Sequence, residues 1–180
     1  LPPGVERHVV NAGGLTGLQV FPDDEIEIIN DEGNQICEIV CFDKDGKSEL
    51  GILNQKENNK KSFIKEILNR KDESSLVTNL QLKKRNLDIN KSKSSILFDD
   101  KTPSGEKIKI KSKDKCYVIF SAPQNDMLVS EQNPSSDLTI FIKRAKIVND
   151  KELSIIPDPI YEPNYEKNID RETSISYQVK

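Results

Sequence analysis

The side chains that could catalyse a reaction or hold a metal are few and scattered in this sequence. His8 is the only histidine in 180 residues, and no recognisable nucleophile-base motif surrounds it. The three cysteines, Cys37, Cys41 and Cys116, lack the CxxC spacing of a zinc site. The sequence therefore predicts no catalytic residue and no metal ligand, and we expect the cysteines to be buried, reduced thiols.

One polar stretch is the best local candidate for a ligand site. It runs from Pro123 to Ser136 between two apolar strands, and binding residues are often carried on loops that a rigid sheet positions. Amide and carboxylate side chains are concentrated there. The predicted ligand-binding residues are Gln124, Asn125, Asp126 and Glu131. The alternative is that the Pro, Asn and Ser content of this stretch serves only its turns.

Two further patterns begin like ligand-binding loops, and neither is complete. Residues 12–14 are Ala-Gly-Gly, but neither GxGxxG nor GxxxxGKS occurs in the chain, so no nucleotide site is predicted. Residues 43–46 are Asp-Lys-Asp-Gly, as at the start of a calcium loop, yet the downstream bidentate Glu is missing at the required spacing. We interpret both patterns as turns between strands.

The charge and hydropathy of the chain exclude two classes of partner. The net charge is -3 and the pI is near 5.4, whereas a general nucleic-acid binder needs a basic face. No window approaches the ~20 apolar residues that cross a bilayer, and the N-terminus lacks the signal-peptide pattern. We expect a cytoplasmic protein without a nucleic-acid or membrane partner.

The clearest strand signal lies between residues 23 and 42. Apolar runs flank a polar turn around Gly33, which can adopt the positive φ of a tight reversal. The pattern predicts a β-hairpin with Glu25 and Glu27 facing solvent on its first strand. Further on, residues 116–120 are apolar on both faces, which is typical of a central strand. Lysines alternate with isoleucines at residues 107–111, which is typical of an edge strand.

Between these groups of strands the hydrophobic period becomes helical, at about residues 59–88. The apolar positions are Phe63, Ile64, Ile67 and Leu68 in the first predicted helix and Leu76, Val77, Leu80 and Leu87 in the second. Asn59 is the expected N-cap of the first helix, and Ser74 or Ser75 of the second. We expect the leucine stripe of the second helix to pack in the core rather than to bind a partner.

Together these elements predict an α+β domain over residues 1–150. It would be mostly antiparallel β, folded as a sandwich or partly open barrel, with the two-helix insertion at about residues 59–88. Residues 151–180 contain several prolines and then a strand-like alternation. They predict a connector and the first strand of a following, truncated domain.

Several short segments together resemble one family. They are residues 25–35 (EIEIINDEGNQ), 84–88 (KRNLD), 101–106 (KTPSGE), 121–123 (SAP), 137–139 (DLT) and 144–145 (RA). They resemble the N-terminal region of long bacterial proteins of the glycine-cleavage T-protein (aminomethyltransferase)-like family. In those proteins the region precedes a urea-carboxylase-associated domain, and the resemblance spans most of this chain.

The resemblance implies a non-catalytic N-terminal module that serves interdomain packing, oligomerisation or small-molecule sensing. Its partners would be downstream domains of the same polypeptide. The parent protein would act in one-carbon metabolism, transferring a one-carbon unit from an amine to tetrahydrofolate. The folate-binding residues belong to a module outside this chain, so no catalytic residue carries over to a position here.

Two other interpretations stay open at this point. One is a metal-dependent amidohydrolase-like domain that acts on urea- or guanidine-type substrates, with His8, Cys37 or Cys41 as metal ligands. The other is a free-standing small-molecule-binding β-module, which would have a concave pocket around residues 124–126.

Overall fold

Two stacked antiparallel sheets form the frame of the computed structural model, which describes residues 1–70, 73–124 and 134–146. The strands are β1 Val5–Val10, β2 Leu15–Val20, β3 Glu25–Asn30, β4 Cys37–Asp43, β5 Ser94–Leu97, β6 Glu106–Lys111, β7 Cys116–Ser121 and β8 Leu138–Lys143. One sheet has the order β1-β8-β3-β6 and the other β2-β7-β4-β5. This is the strand order of an eight-stranded jelly roll. The predicted α+β sandwich is confirmed, and it is not a closed barrel.

The predicted hairpin between residues 23 and 42 is wrong. Its strands form as β3 and β4, but β3 pairs with β6 and β8, whereas β4 pairs with β5 and β7. The connection therefore crosses from one sheet to the other. Gly33 does have a positive φ of 81°. A Cβ there would lie 2.7 Å from the Ser104 backbone nitrogen, so this glycine permits the close approach of two loops.

The burial of individual strands follows their sequence patterns. All six residues of β7 are buried, and β7 lies between β2 and β4. The lysine-rich β6 lies at the edge of its sheet, as predicted. Its Lys109 and Lys111 stand opposite Glu27 and Glu25 of β3. The space between the sheets is filled by apolar side chains, including the free and buried Cys37, Cys41 and Cys116.

Two helices cover the outer face of the second sheet and lie within the predicted insertion. They are α1 Phe63–Leu68 and α2 Glu73–Lys84, and short 3-10 turns lie at Leu50–Leu53 and Ile89–Lys91. The helices and sheet share a second apolar cluster that includes Phe42, Ile64 and Leu82. Among the described residues, no helix has the length and apolar character to span a membrane.

The predicted helix caps are wrong. The N-cap of α1 is Ser62, whose Oγ accepts a hydrogen bond from Lys65 N at 3.2 Å. Asn59 instead bonds to Lys61 and to Ser94 of β5, and so fixes the chain before the helix. Helix α2 begins at Glu73, so both predicted cap serines lie inside it.

Candidate functional site

One of the four predicted ligand-binding residues lies in the described part of the chain. Gln124 is exposed, and its side chain lies over Gly13, where an added Cβ would be 3.3 Å from Gln124 Cγ. Asn125, Asp126 and Glu131 lie outside the described residues. The ligand site in this stretch therefore stays a prediction.

A single buried amide holds both described ends of this stretch. Gln35 Nε2 donates to Pro123 O at 2.9 Å, and Gln35 Oε1 accepts from Ser136 N at 2.8 Å. The backbone carbonyl of Gln35 in turn accepts from Asn30 Nδ2 at 2.8 Å. Gln35 and Asn30 are both fully buried. The sandwich therefore positions the polar stretch through one side chain, as a scaffold would position a binding loop.

A buried ion network joins the two sheets beside the end of β8. Arg144 Nη1 lies 2.7 Å from Asp24 Oδ2, and Arg144 Nη2 lies 2.7 Å from Glu6 Oε2. The same guanidinium donates to Gln19 O at 3.0 Å. Asp24 also accepts from the backbone nitrogens of Phe21 and Ala145. The network connects β1, β2, β8 and the turn before β3, so its charged groups serve the fold.

Glu38 is a buried carboxylate that binds the start of α1. Its Oε2 accepts from Phe63 N at 2.7 Å and from Ile64 N at 3.2 Å, and its Oε1 accepts from Ser62 Oγ at 3.0 Å. Burial raises the pKa of Glu38, although the hydrogen bonds from Ser62, Phe63 and Ile64 oppose that shift. Glu38 therefore fastens the helical insertion to the sheet.

The side chains considered as metal ligands lie in separate places. Cys37 and Cys41 point into the core between the sheets, and His8 lies on β1, the edge strand of the other sheet. Burial raises the pKa of Cys37, and the hydrogen bond with Cys116 raises the pKa of Cys41. Residues 1–70, 73–124 and 134–146 contain no group of three His, Cys, Asp or Glu side chains that could share a metal ion.

The outward surface of α2 is apolar, contrary to the predicted packing of its leucine stripe. We define the α2 apolar face as Leu76, Val77 and Leu80, whose exposed fractions are 56%, 43% and 62%. The inward surface carries polar groups because the last carbonyls of α1 need donors. Ser75 Oγ donates to Ile67 O, and Asn79 Nδ2 donates to Leu68 O, both at 2.9 Å. The predicted core packing of these three side chains is wrong.

Neither of two open cavities on the described surface is lined by Gln124. The first, of about 370 Å³, lies beside Asp23, Asn54 and Lys111. The second, of about 340 Å³, lies between the end of α2, the turn after β4 and the start of β7. Its charged lining consists of Asp43, Lys44, Lys84, Arg85 and Lys115. Cations outnumber carboxylates in the described lining of both cavities, because Lys109, Lys111 and Lys113 line the first beside Asp23; the second differs from it in having an arginine, Arg85.

No site role was predicted for Gln35, Arg85 or Arg144, although all three lie in the segments that carry the family resemblance, and the α2 apolar face was not predicted. A signal for that face was present, because Ser75, Thr78 and Leu82 also recur at helical spacing and are the residues that turn inward. Helix α2 therefore has two sets of residues at helical spacing, and a prediction based on hydrophobicity alone buries the wrong set. No local pattern marks Arg144, because its partners lie more than a hundred residues away.

The fold and these contacts define an antiparallel jelly-roll sandwich with a helical insertion on one sheet. No protein-family model matches the sequence. The whole chain is similar to the trimethylamine-oxide aldolase of the bacterium Ruegeria pomeroyi, with 32% identity over 180 residues. It spans 23% of the length of that relative.

Proposed function

We propose that this domain is a non-catalytic N-terminal module of a longer amine-processing enzyme of the aminomethyltransferase-like type. It packs against the rest of that enzyme through the α2 apolar face. The parent enzyme transfers a one-carbon unit from an amine to tetrahydrofolate. The observation that carries the proposal is the exposed apolar face on a chain that spans 23% of its relative.

The relationship to trimethylamine-oxide aldolase supports an amine substrate for the parent enzyme. By atom balance, cleavage of trimethylamine oxide at one methyl carbon gives dimethylamine and formaldehyde. Formaldehyde is a one-carbon unit that tetrahydrofolate can accept. Release of formaldehyde by cleavage of that C–N bond and its transfer to folate are therefore compatible steps within one parent protein.

The described residues do not fit tetrahydrofolate. A jelly roll can hold a large ligand between its sheets, but here that space is filled by core side chains such as Ile28, Phe120 and Ile140. We therefore place the folate site in another part of the parent protein. This placement agrees with a supporting role for the sandwich.

The contacts of three carboxylates, the buried Glu38 and Asp24 and the half-buried Glu6, also support that role. Glu38 accepts a hydrogen bond from the start of α1, and Asp24 and Glu6 form ion pairs with Arg144. A catalytic carboxylate needs access to a substrate, whereas these three groups hold elements of the fold together. These carboxylates therefore support the fold rather than a reaction.

The α2 apolar face suits a partner within the same polypeptide. Its three side chains are adjacent on consecutive turns of one helix, and Ser75 and Asn79 fix that helix to α1. A surface that is rigid before contact loses little conformational entropy when a partner covers it.

Replacing Leu76 and Leu80 together by Gln tests the proposal, because Gln keeps the helix propensity and removes the apolar surface. We expect the free energy of unfolding of this chain alone to change by about 0.5 kcal/mol or less. In the full-length parent we expect a loss of about 2–4 kcal/mol, since two leucines lose a buried environment. Urea denaturation of both proteins measures these values.

The matched control is Lys83→Gln, which changes an exposed residue of the same helix and should have no effect in either protein. Equal effects of the double substitution in the chain alone and in the parent would contradict the proposal. Formation of methylene-tetrahydrofolate by the parent protein, followed in the same samples, tests the assigned chemistry separately.

A further inference from the structure

The charged side chains that line the cavity at the C-terminal end of α2 are mostly positive. Lys44, Lys84, Arg85 and Lys115 line it, and Asp43 is the one carboxylate among its described lining residues. Asp43 Oδ1 already accepts hydrogen bonds from the backbone nitrogens of Asp45 and Lys47, both at 2.9 Å. None of the four cations forms an ion pair with another residue in the described ranges. The cavity therefore has an excess of cations on a protein whose net charge is -3.

Arg85 is held in a fixed orientation at this cavity. Its guanidinium carbon lies 4.5 Å from the centroid of the Tyr117 ring, and its Nη1 donates to Gln19 Oε1 at 3.2 Å. Gln19 is itself oriented, because its Nε2 donates to Cys116 O at 2.8 Å. These contacts occupy one face and one nitrogen of the guanidinium.

The opposite edge of that guanidinium carries Nε and Nη2. Neither atom has a hydrogen-bond partner within the described part of the chain, and both are shielded from bulk water. A charged donor that is buried without an acceptor is unfavourable. The Nε and Nη2 hydrogens are parallel, and this is the edge that binds a carboxylate or phosphate in a bidentate manner. Both atoms are covered in this structure, so an oxyanion reaches this edge when the side chains that cover it move aside.

We propose that this cavity binds a small anion that bears a carboxylate or phosphate group, with Arg85 as the bidentate donor. The exposed Lys44, Lys84 and Lys115 add flexible point charges around the same volume. A volume of about 340 Å³ lies at the lower end of the range for small-molecule sites, so the ligand is small. The site is independent of the docking role proposed for the α2 apolar face.

Calorimetric titration of the full chain with inorganic phosphate and, separately, with glutamate tests the site. We expect one equivalent to bind, and we expect Arg85→Gln to weaken that binding at least tenfold. Arg85→Lys keeps the charge but removes the pair of parallel donors, so this variant should retain only part of the affinity. Circular dichroism of each variant verifies that the fold is intact.

The matched control is Lys111→Gln, which removes one positive charge from the edge strand β6, away from this cavity. It should leave the affinity within twofold. Tighter binding of phosphate would identify a phosphorylated ligand, and tighter binding of glutamate a carboxylate ligand. Binding of neither anion, or equal weakening by Lys111→Gln and Arg85→Gln, would overturn the proposal.

Discussion

Replacing Arg144 by Met should lower the free energy of unfolding of this domain by about 3–5 kcal/mol, the usual cost of removing one partner from a buried ion network. The Arg144 side chain is 12% exposed and the Asp24 side chain 2% exposed. The substitution leaves Asp24 and Glu6 without their cation and removes the donor to Gln19 O. Urea denaturation at neutral pH measures the loss.

The control for this prediction is an exposed ion pair of the same fold. Lys109 Nζ lies 3.7 Å from Glu27 Oε2, and the Lys109 side chain is 78% exposed. Lys109→Met should cost no more than about 1 kcal/mol, because water screens such pairs. A loss of less than 1 kcal/mol for Arg144→Met would show that the buried network does not join the sheets.

Replacing Glu38 by Ala should cost about 2–5 kcal/mol. The backbone nitrogens of Phe63 and Ile64 would lose their acceptor, and each unpaired buried donor costs about 1–3 kcal/mol. Glu38→Gln keeps one side-chain oxygen at this position, so its loss should be less than half as large. Equal losses for the two variants would contradict the capping role of the Glu38 side chain.

The raised pKa of Glu38 also predicts that the stability of the domain depends on pH. Burial raises its folded-state pKa above the ordinary value of 4.5. As the pH rises from 4.5 through that folded pKa, the unfolded chain releases this proton first, so the contribution of Glu38 to stability falls. Gln cannot titrate, so the stability difference between wild type and Glu38→Gln should shrink across this window. A difference that grows with pH would contradict the raised pKa.

The strands could be predicted because the burial of a strand determines the local order of its apolar and polar residues. The continuous apolar run of β7 and the alternating lysines of β6 correctly indicate a central and an edge strand. The pairing of the strands could not be predicted in this way, because a local pattern identifies a strand without identifying its neighbours in the sheet. The connection around Gly33 has a glycine at a positive φ, as a hairpin would, yet it crosses between sheets.

The candidate site was less predictable than the fold. Gln35 and Arg144 act through partners that lie about a hundred residues away, and no spacing rule reports such contacts. The inward surface of α2 depends on the unsatisfied carbonyls of α1, which are a property of the folded helix end. The hydrophobicity of the leucine stripe favours its burial. The buried carbonyls of α1 need hydrogen-bond donors, however, so the polar side of α2 faces them and the leucines are exposed.

The proposed docking role requires that the α2 apolar face is covered in the parent enzyme. Amide hydrogen exchange of residues 73–84, measured in this chain alone and in the full-length parent, tests it most directly. We expect slower exchange of these amides in the parent, with the exchange of the buried strand β7 unchanged as an internal reference. Equal exchange of residues 73–84 in the two proteins would contradict it.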